Sequence, residues 1–488
     1  MDRILTKRNT LFIVAALTLW RAYLSATIQL HPDEAYYWLY SRRLDLGYYD
    51  HAPLIGYLIR LTTFFSSQEL WVRFGGLLET VIVSVISWVL SIQLFGVRKI
   101  ASASVLTLNV LPLTMAGSIV MTPDNPLFLF VGLTTYFCWQ IVATQKVRYW
   151  YLLGIAFGLS LLSKYTGVLI APSLFIFILA TDERKWLKTI HPYAAFLLGC
   201  AFFLPVVYWN SRHEWMSFAF QLKHGLGGET YKIGRVLTYI GGQMIVASPV
   251  LWVAGAVASV LYLFKKDKRT LFLSLTFLPT MLFFAYSSLK RTAAANWPCT
   301  AYVIFGILVS RYLLDGSKKK ERIWIAGVLL SLILSLTAGL HTRFGIIPMA
   351  KISPALAEAD ATQFFFGWRE LAQKLEKDPS IKVVITNNHL VVEETIYYTR
   401  ERVFADVNWR SPGPNQYGLW KIPENVIGAD GVCIDVLGKY GPPPCNDYFT
   451  SIGAESTLPV VRDGRVIRTY HIVRGIGFRP PREWLKEK

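Results

Sequence analysis

Long apolar runs recur through the first 344 residues, and they limit the fold more than any other feature of the chain. A helix crosses a bilayer with about 20 apolar residues. Runs of this kind fall at roughly 11–28, 73–95, 99–117, 124–143, 149–163, 166–180, 190–209, 236–263, 270–288, 297–313 and 323–341. The expectation is a polytopic α-helical membrane protein with about eleven transmembrane helices. The stretch 149–180 is too long for one crossing and carries Lys164 near its middle, so it reads as two helices meeting at 163–167. The first run lacks a clear small-residue cleavage site and further runs follow, which marks a span and not a removable signal. Composition agrees, with 53% hydrophobic and 17% charged residues in 488, against about 25% charged in a soluble domain. A disordered chain is excluded and a soluble enzyme is disfavoured.

Basic residues in short loops orient a membrane chain. Residues 1–344 hold 32 Lys and Arg against 15 Asp and Glu, whereas 345–488 hold 18 against 17. The excess lies between apolar runs, which points to membrane lipids and away from nucleic acid. One set comprises Arg3, Lys7 and Arg8; Arg98 and Lys99; Lys146 and Arg148; Arg184, Lys185 and Lys188; Lys265, Lys266, Lys268 and Arg269; and Lys318, Lys319, Lys320 and Arg322. These occupy alternate connections and can all be cytoplasmic together. The connections 29–72, 118–123, the turn at 164, 210–235 and 289–296 are then external. An odd number of spans also puts 345–488 outside, with the N-terminus cytoplasmic. The expected division is a membrane domain at 1–344, carrying the external loops, and an external α/β domain at 345–488.

In that tail, 363–377 has helical spacing, and 382–386 is a β-rich run followed by a helix through Tyr398. Strands are expected at 402–407 and 432–436, and 458–473 reads as a hairpin turning at Asp463-Gly464. Residues 441–444 read as a turn. An external location permits a disulfide between Cys433 and Cys445, and two free thiols fit the sequence equally well.

The external loops carry the unusual chemistry. The first contains His31-Pro-Asp-Glu-Ala-Tyr-Tyr-Trp38 and Asp45-Leu-Gly-Tyr-Tyr-Asp-His-Ala-Pro-Leu54. Asp33 and Glu34 follow the first span directly, and Asp50 and His51 precede an amphipathic segment. The plain alternative for Asp33 is an N-cap of a helix starting at Glu34. Asp124, in Met121-Thr-Pro-Asp-Asn-Pro126, is either an N-cap with Pro126 in the first turn or a carboxylate facing water or a partner. Lys164 between two apolar runs needs a polar cavity, an anion or a carboxylate, unless it snorkels outward. The loop 210–235 carries His213, His224, Glu229 and several glycines including Gly228, a set able to offer metal or phosphate ligands. Lys290 and Arg291 stand outside against the charge bias, where a basic pair suits a lipid phosphate. No phosphate-binding loop, dinucleotide fingerprint, nucleophile elbow or HExxH is present, so a nucleotide cofactor has no support.

These motifs resemble the polytopic GT-C glycosyltransferases that use polyprenyl-phosphate sugars. The likeness is to the protein O-mannosyltransferase-like group, family 39, and to the lipid A aminoarabinose transferases, family 83. It is carried by His31-Pro-Asp-Glu-Ala-Tyr-Tyr37, Tyr49-Asp-His-Ala-Pro-Leu54, Met121-Thr-Pro-Asp-Asn-Pro126, Leu162-Ser-Lys-Tyr-Thr-Gly167 and Ser287-Ser-Leu-Lys-Arg291, over about residues 10–340. The resemblance implies a GT-C fold and transfer, with inversion, from a polyprenyl-phosphate-sugar donor at the periplasmic side of a bacterial inner membrane. Lipid A or lipopolysaccharide core is the expected acceptor, and protein is the runner-up. It implies Asp33 as the catalytic carboxylate, Glu34, Tyr37, Asp50, His51, Asp124 and Lys164 around the donor and acceptor cavity, and Lys290 and Arg291 on the lipid phosphate. Asp50 and His224 are candidates to hold a divalent metal ion. His51 and Tyr36 depart from the aminoarabinose transferases, which have lysine and arginine there. A transporter or flippase for a lipid-linked sugar is the competing class. It is disfavoured because the charges cluster on one face and no paired inverted halves are visible. A receptor or scaffold leaves the Asp33 and Asp50 loop unexplained.

Overall fold

The computed structural model describes residues 5–227, 230–407, 415–436, 445–462 and 464–481. The turn expected at 441–444, and Arg3, Gly228, Glu229 and Asp463, lie outside the described residues. The contacts divide the chain into two compact units. One is Met1–Ser25, Asp45–Gly47 and His51–Ala338; the other is Ala26–Leu44, Tyr48–Asp50 and Gly339–Lys488. This differs from a single cut after residue 344, because most of the first polar loop groups with the tail.

Among the described residues, six helices are long and apolar enough to cross a membrane: Lys7–Thr27, Glu69–Phe95, Asp124–Thr144, His191–Arg212, Lys268–Lys290 and Lys318–Phe344. Counting three bent helix pairs as one span each gives nine. The reading of eleven also counted 149–163 and 297–313. The helices there are Arg148–Ser163, of 16 residues, and Phe305–Leu313, of 9, the latter preceded by a 3-10 turn at Cys299–Val303. Two expected spans are not straight. The run 236–263 is broken into Ile233–Ala247 and Pro249–Leu263 at 110°, because Ser248 takes φ +64° and Pro249 cannot continue the hydrogen-bond ladder. The run 99–117 bends by 61° where Pro112 follows Leu111. The expected break near Lys164 is present: Arg148–Ser163 ends there, and Lys164 is extended.

Within the membrane unit, polar contacts gather the connections into two sets. Lys99 pairs with Glu321 at 2.6 Å, Lys268 with Glu183 at 2.9 Å, and Arg269 donates to the Leu94 carbonyl at 3.1 Å. These residues lie on or beside the strongly basic connections. Elsewhere, Lys232 N–H donates to the Leu289 carbonyl at 2.9 Å, and Arg235 to the Lys290 carbonyl at 2.5 Å. Ser287 donates to the Gly225 carbonyl at 2.6 Å. The connections 210–235 and 289–296 of the less basic set are therefore joined to one another. Between the two sets, buried Arg21 donates to the Asn109 side chain at 2.9 Å and to its carbonyl at 2.7 Å. The helices close on small residues: a Cβ at Gly306 would lie 2.4 Å from the Ser104 carbonyl oxygen, so the two backbones touch there.

The second unit holds a five-stranded sheet of order β2-β1-β3-β5-β4. Its strands are β1 (Val383–Thr386), β2 (Phe404–Val407), β3 (Gly431–Val436), β4 (Phe449–Arg462) and β5 (Arg465–Phe478). β1 runs parallel to β2 and β3, and β3, β5 and β4 are antiparallel in sequence. β1 and β3 are buried at every residue, Asp435 included, and their sequences are otherwise mostly apolar. The hairpin is longer than expected because its outer strand, β4, is largely exposed and polar, a pattern that hydropathy does not mark. Gly464 takes φ +73° in its turn. The helix Trp368–Glu376 buries Trp368, Leu371, Ala372 and Leu375 on one face. Cys433 and Cys445 form a disulfide.

Candidate functional site

In the second unit, the helix Pro32–Arg42 presents the acidic motif. Its cap is His31: the ring Nδ1 accepts from Asp33 N–H at 3.2 Å, while Glu34 Oε2 accepts from His31 N–H at 2.9 Å. This is a capping box whose cap lies two residues before the one expected, with Pro32 in the first turn. Asp33 is therefore not the cap. Its side chain is 58% exposed, at a helix N-terminus whose dipole favours a carboxylate. The same His31 Nδ1 lies 3.7 Å from the Asp33 carboxylate. Glu34 is fully buried and serves the cap.

Asp50 lies in an irregular segment of the same unit. Tyr36 donates to both of its oxygens at 3.1 Å, and Tyr40 donates to Oδ1. Tyr40 in turn stacks on Tyr48 at 3.6 Å. Tyr37, expected in the cavity, is buried beside Tyr36 and Tyr40 with ring centroids at 5.7 Å from each. Burial and the neighbouring Asp50 charge push the Tyr36 and Tyr40 hydroxyls well above the usual range, so both keep their protons for these bonds.

The tail supplies residues to this site that sequence reasoning missed. The helix His389–Tyr398 packs against Pro32–Arg42. Trp38 meets Tyr397 edge-on at 5.1 Å, Leu30 N–H donates to Tyr398 at 2.8 Å, and Gln29 Oε1 accepts from Trp368 N–H at 3.0 Å. Such long-range contacts are why residues 26–44 and 48–50 belong to the tail's unit. Glu393 on this helix is buried and accepts from Tyr417 at 2.7 Å. Burial pushes its carboxyl well above the ordinary range, against the Tyr417 bond, and the Asp33 and Asp50 charges raise it further. Tyr417 and Trp420 line up with Tyr36 at 6.1 and 6.4 Å. The only sequence signal for these residues was their type, since nothing in their spacing relates them to Asp33.

In the membrane unit, Lys164 Nζ lies 2.7 Å from Asp124 Oδ1, with both side chains largely buried. Asn296 donates to Asp124 Oδ2 at 2.6 Å. The turn before the Asp124–Thr144 helix is held instead by Asn125 Oδ1, which accepts from Thr122 N–H at 2.8 Å. Asp124 is therefore the counter-ion of Lys164 and not a cap, and the Lys164 charge is already matched within the protein. Lys290 ends its helix with the ammonium 5.5 Å from the Tyr231 ring and 5.8 Å from the Tyr286 ring. Arg291 is exposed and reaches the Lys223 carbonyl at 3.4 Å. His51 is half-buried ahead of the Leu54–Thr62 helix. His224 stacks between Phe220 and Trp297, at 5.4 and 5.2 Å. Among the described residues, no group of three or more His, Cys, Asp or Glu is placed to hold a metal ion. Asp50 and His224, each a candidate metal ligand, belong to no such group among the described residues.

Residues 50–209 match the family described as dolichyl-phosphate-mannose-protein mannosyltransferase. A curated relative, the lipid A galacturonosyltransferase RgtD of Rhizobium johnstonii, is 25% identical over 453 residues, covering 87% of this chain and 90% of that protein. Among solved structures, ArnT from Cupriavidus metallidurans bound to undecaprenyl phosphate superposes with a TM-score of 0.64 at 15% identity, over 95% of this chain and 97% of that one. The oligosaccharyltransferase AglB from Archaeoglobus fulgidus, in complex with an inhibitory peptide and a dolichol-phosphate, gives 0.51 at 11%, over 86% and 66%.

Proposed function

We propose that this chain, a multi-pass membrane glycosyltransferase of the GT-C class, moves a sugar from a polyprenyl-phosphate donor to lipid A or the lipopolysaccharide core, on the periplasmic face of a bacterial inner membrane. The observation that carries the reading is the Asp33 carboxylate, exposed at a helix N-terminus and relieved of capping by His31 and Glu34. The name of the Rhizobium relative supports the acceptor class. The basic connections support a cytoplasmic N-terminus, and the Cys433–Cys445 disulfide supports an oxidising compartment for the tail.

The chemistry is a displacement at the anomeric carbon. The acceptor oxygen forms the new bond as the carbon–oxygen bond to the carrier breaks, and the carrier phosphate leaves with that electron pair. Lys290 and Arg291 stabilise the charge it gains. A hydroxyl acceptor gives its proton to Asp33. A phosphate acceptor has no proton to lose, and Asp33 then orients it or the sugar. Attack opposite the leaving phosphate inverts the anomeric centre. Bond energy is already stored in the donor, so the reaction requires no nucleotide.

Protein hydroxyls are the second acceptor class, favoured by the family match over residues 50–209. Mass spectrometry of envelope lipids and proteins, with and without the gene, separates the two. A sugar missing from lipid A supports the first reading, and a sugar missing from protein supports the second. No missing sugar in either rejects both.

A further inference from the structure

We infer that Gln416, Tyr417 and Glu393 of the tail are positioning residues, which hold Asp50 and the aromatic wall beside it for the donor sugar; the inference rests on the transfer reaction proposed above. Asp50 sits in an irregular segment, so its place depends on its neighbours. Gln416 is buried, and its Oε1 accepts the backbone N–H of Tyr49 at 2.8 Å, fixing the residue next to Asp50. Tyr36 holds both Asp50 oxygens and is backed by the Tyr417 and Trp420 rings. Tyr417 and Trp420 meet edge-on at 5.7 Å, and the buried Tyr417 hydroxyl is fixed by its bond to Glu393. The chain of support runs from the helix His389–Tyr398 through Tyr417 to Tyr36 and Asp50.

This arrangement matches what a sugar needs. Ring faces cover its apolar C–H surface, and a carboxylate accepts from its hydroxyls. Two carboxylates, Asp33 and Asp50, already share the site, and a third charge at Glu393 would strain it. Burial raises the Glu393 carboxyl well above the ordinary range, the Asp33 and Asp50 charges add to the rise, and both favour the uncharged form that a holding role needs. An uncharged amide of the same shape can therefore replace it.

Two measurements on the full-length protein in detergent test the inference. The first is carbodiimide labelling of Asp50, read by peptide mass spectrometry, which needs no substrate. Gln416→Ala, Tyr417→Phe and Glu393→Ala should each raise labelling about fivefold, as loss of one hydrogen bond implies. Glu393→Gln should restore the wild-type value. Unchanged labelling in Gln416→Ala and Tyr417→Phe, at wild-type melting temperature, overturns the inference. The second is turnover with undecaprenyl-phosphate-linked galacturonic acid and with the mannose-linked donor, using lipid A as acceptor. Tyr417→Phe should lower kcat about tenfold with donor KM within about twofold. Unchanged kcat despite raised labelling overturns the sugar-holding role, as does a Glu393→Gln variant no better than Glu393→Ala. A wild-type protein that transfers neither sugar rejects these two donors on lipid A, while labelling still decides whether the tail holds Asp50.

Discussion

Lys164 and Asp124, 40 residues apart in sequence, form an ion pair of 2.7 Å. The extended backbone at Lys164 turns the chain out of one apolar helix, and Asp124 opens another. Removing one partner leaves an uncompensated, largely buried charge. Lys164→Met or Asp124→Leu alone should therefore cost about 3 kcal/mol, and the double variant clearly less than the sum of the two. Thermal or denaturant unfolding in detergent measures this. Simple additivity would mean that the two charges are not coupled.

The cap of the Pro32–Arg42 helix separates stability from chemistry at adjacent residues. Glu34→Ala should destabilise by about 1–2 kcal/mol, because a buried capping carboxylate is lost. Asp33→Asn should leave the unfolding midpoint within about 2 °C, since Asp33 is exposed and outside the cap. Equal destabilisation by both would show that Asp33 is structural.

Lys290 and Arg291 should act on donor use. Lys290→Ala and Arg291→Ala should each raise the donor KM or lower kcat/KM about tenfold, the cost of one charge-assisted phosphate contact. Lys290→Arg should retain most of the activity. Donor saturation at wild-type values in both alanine variants would remove them from the phosphate site.

The apolar runs and the alternating basic connections were legible because bilayer thickness and loop charge act on short stretches of sequence. The strands β1 to β3 were legible for a similar reason, being short and apolar. The sharp break at Ser248-Pro249 was marked only by the proline, since a positive φ at serine has no compositional mark. Asp33 and Asp50 could be singled out as an unusual acidic pair. Their partners Glu393, Gln416 and Tyr417 could not, because contacts such as Tyr49 to Gln416 span 367 residues. The cap lies two residues earlier than expected because His31, an uncommon capping residue, takes the place expected of Asp33.

Glu393 gives a pH dependence with a definite sign. Its carboxyl is raised in the folded protein by burial, with Asp33 and Asp50 adding to the shift and Tyr417 opposing it. Between the ordinary carboxyl range and that raised value, the folded state binds more protons than the unfolded chain. Stability from this group is thus complete at low pH and falls as pH rises through the interval. Melting curves from pH 4 upward should show a decline that is flattened in Glu393→Gln. An identical slope in that variant would assign the decline to other groups.

The most direct test is to delete the gene, restore it as wild type or as Asp33→Asn, and weigh the lipid A of each strain. The account predicts that deletion removes the mass of one sugar residue, that wild type returns it, and that Asp33→Asn, present at normal level in the membrane, does not. Full restoration by Asp33→Asn would contradict it.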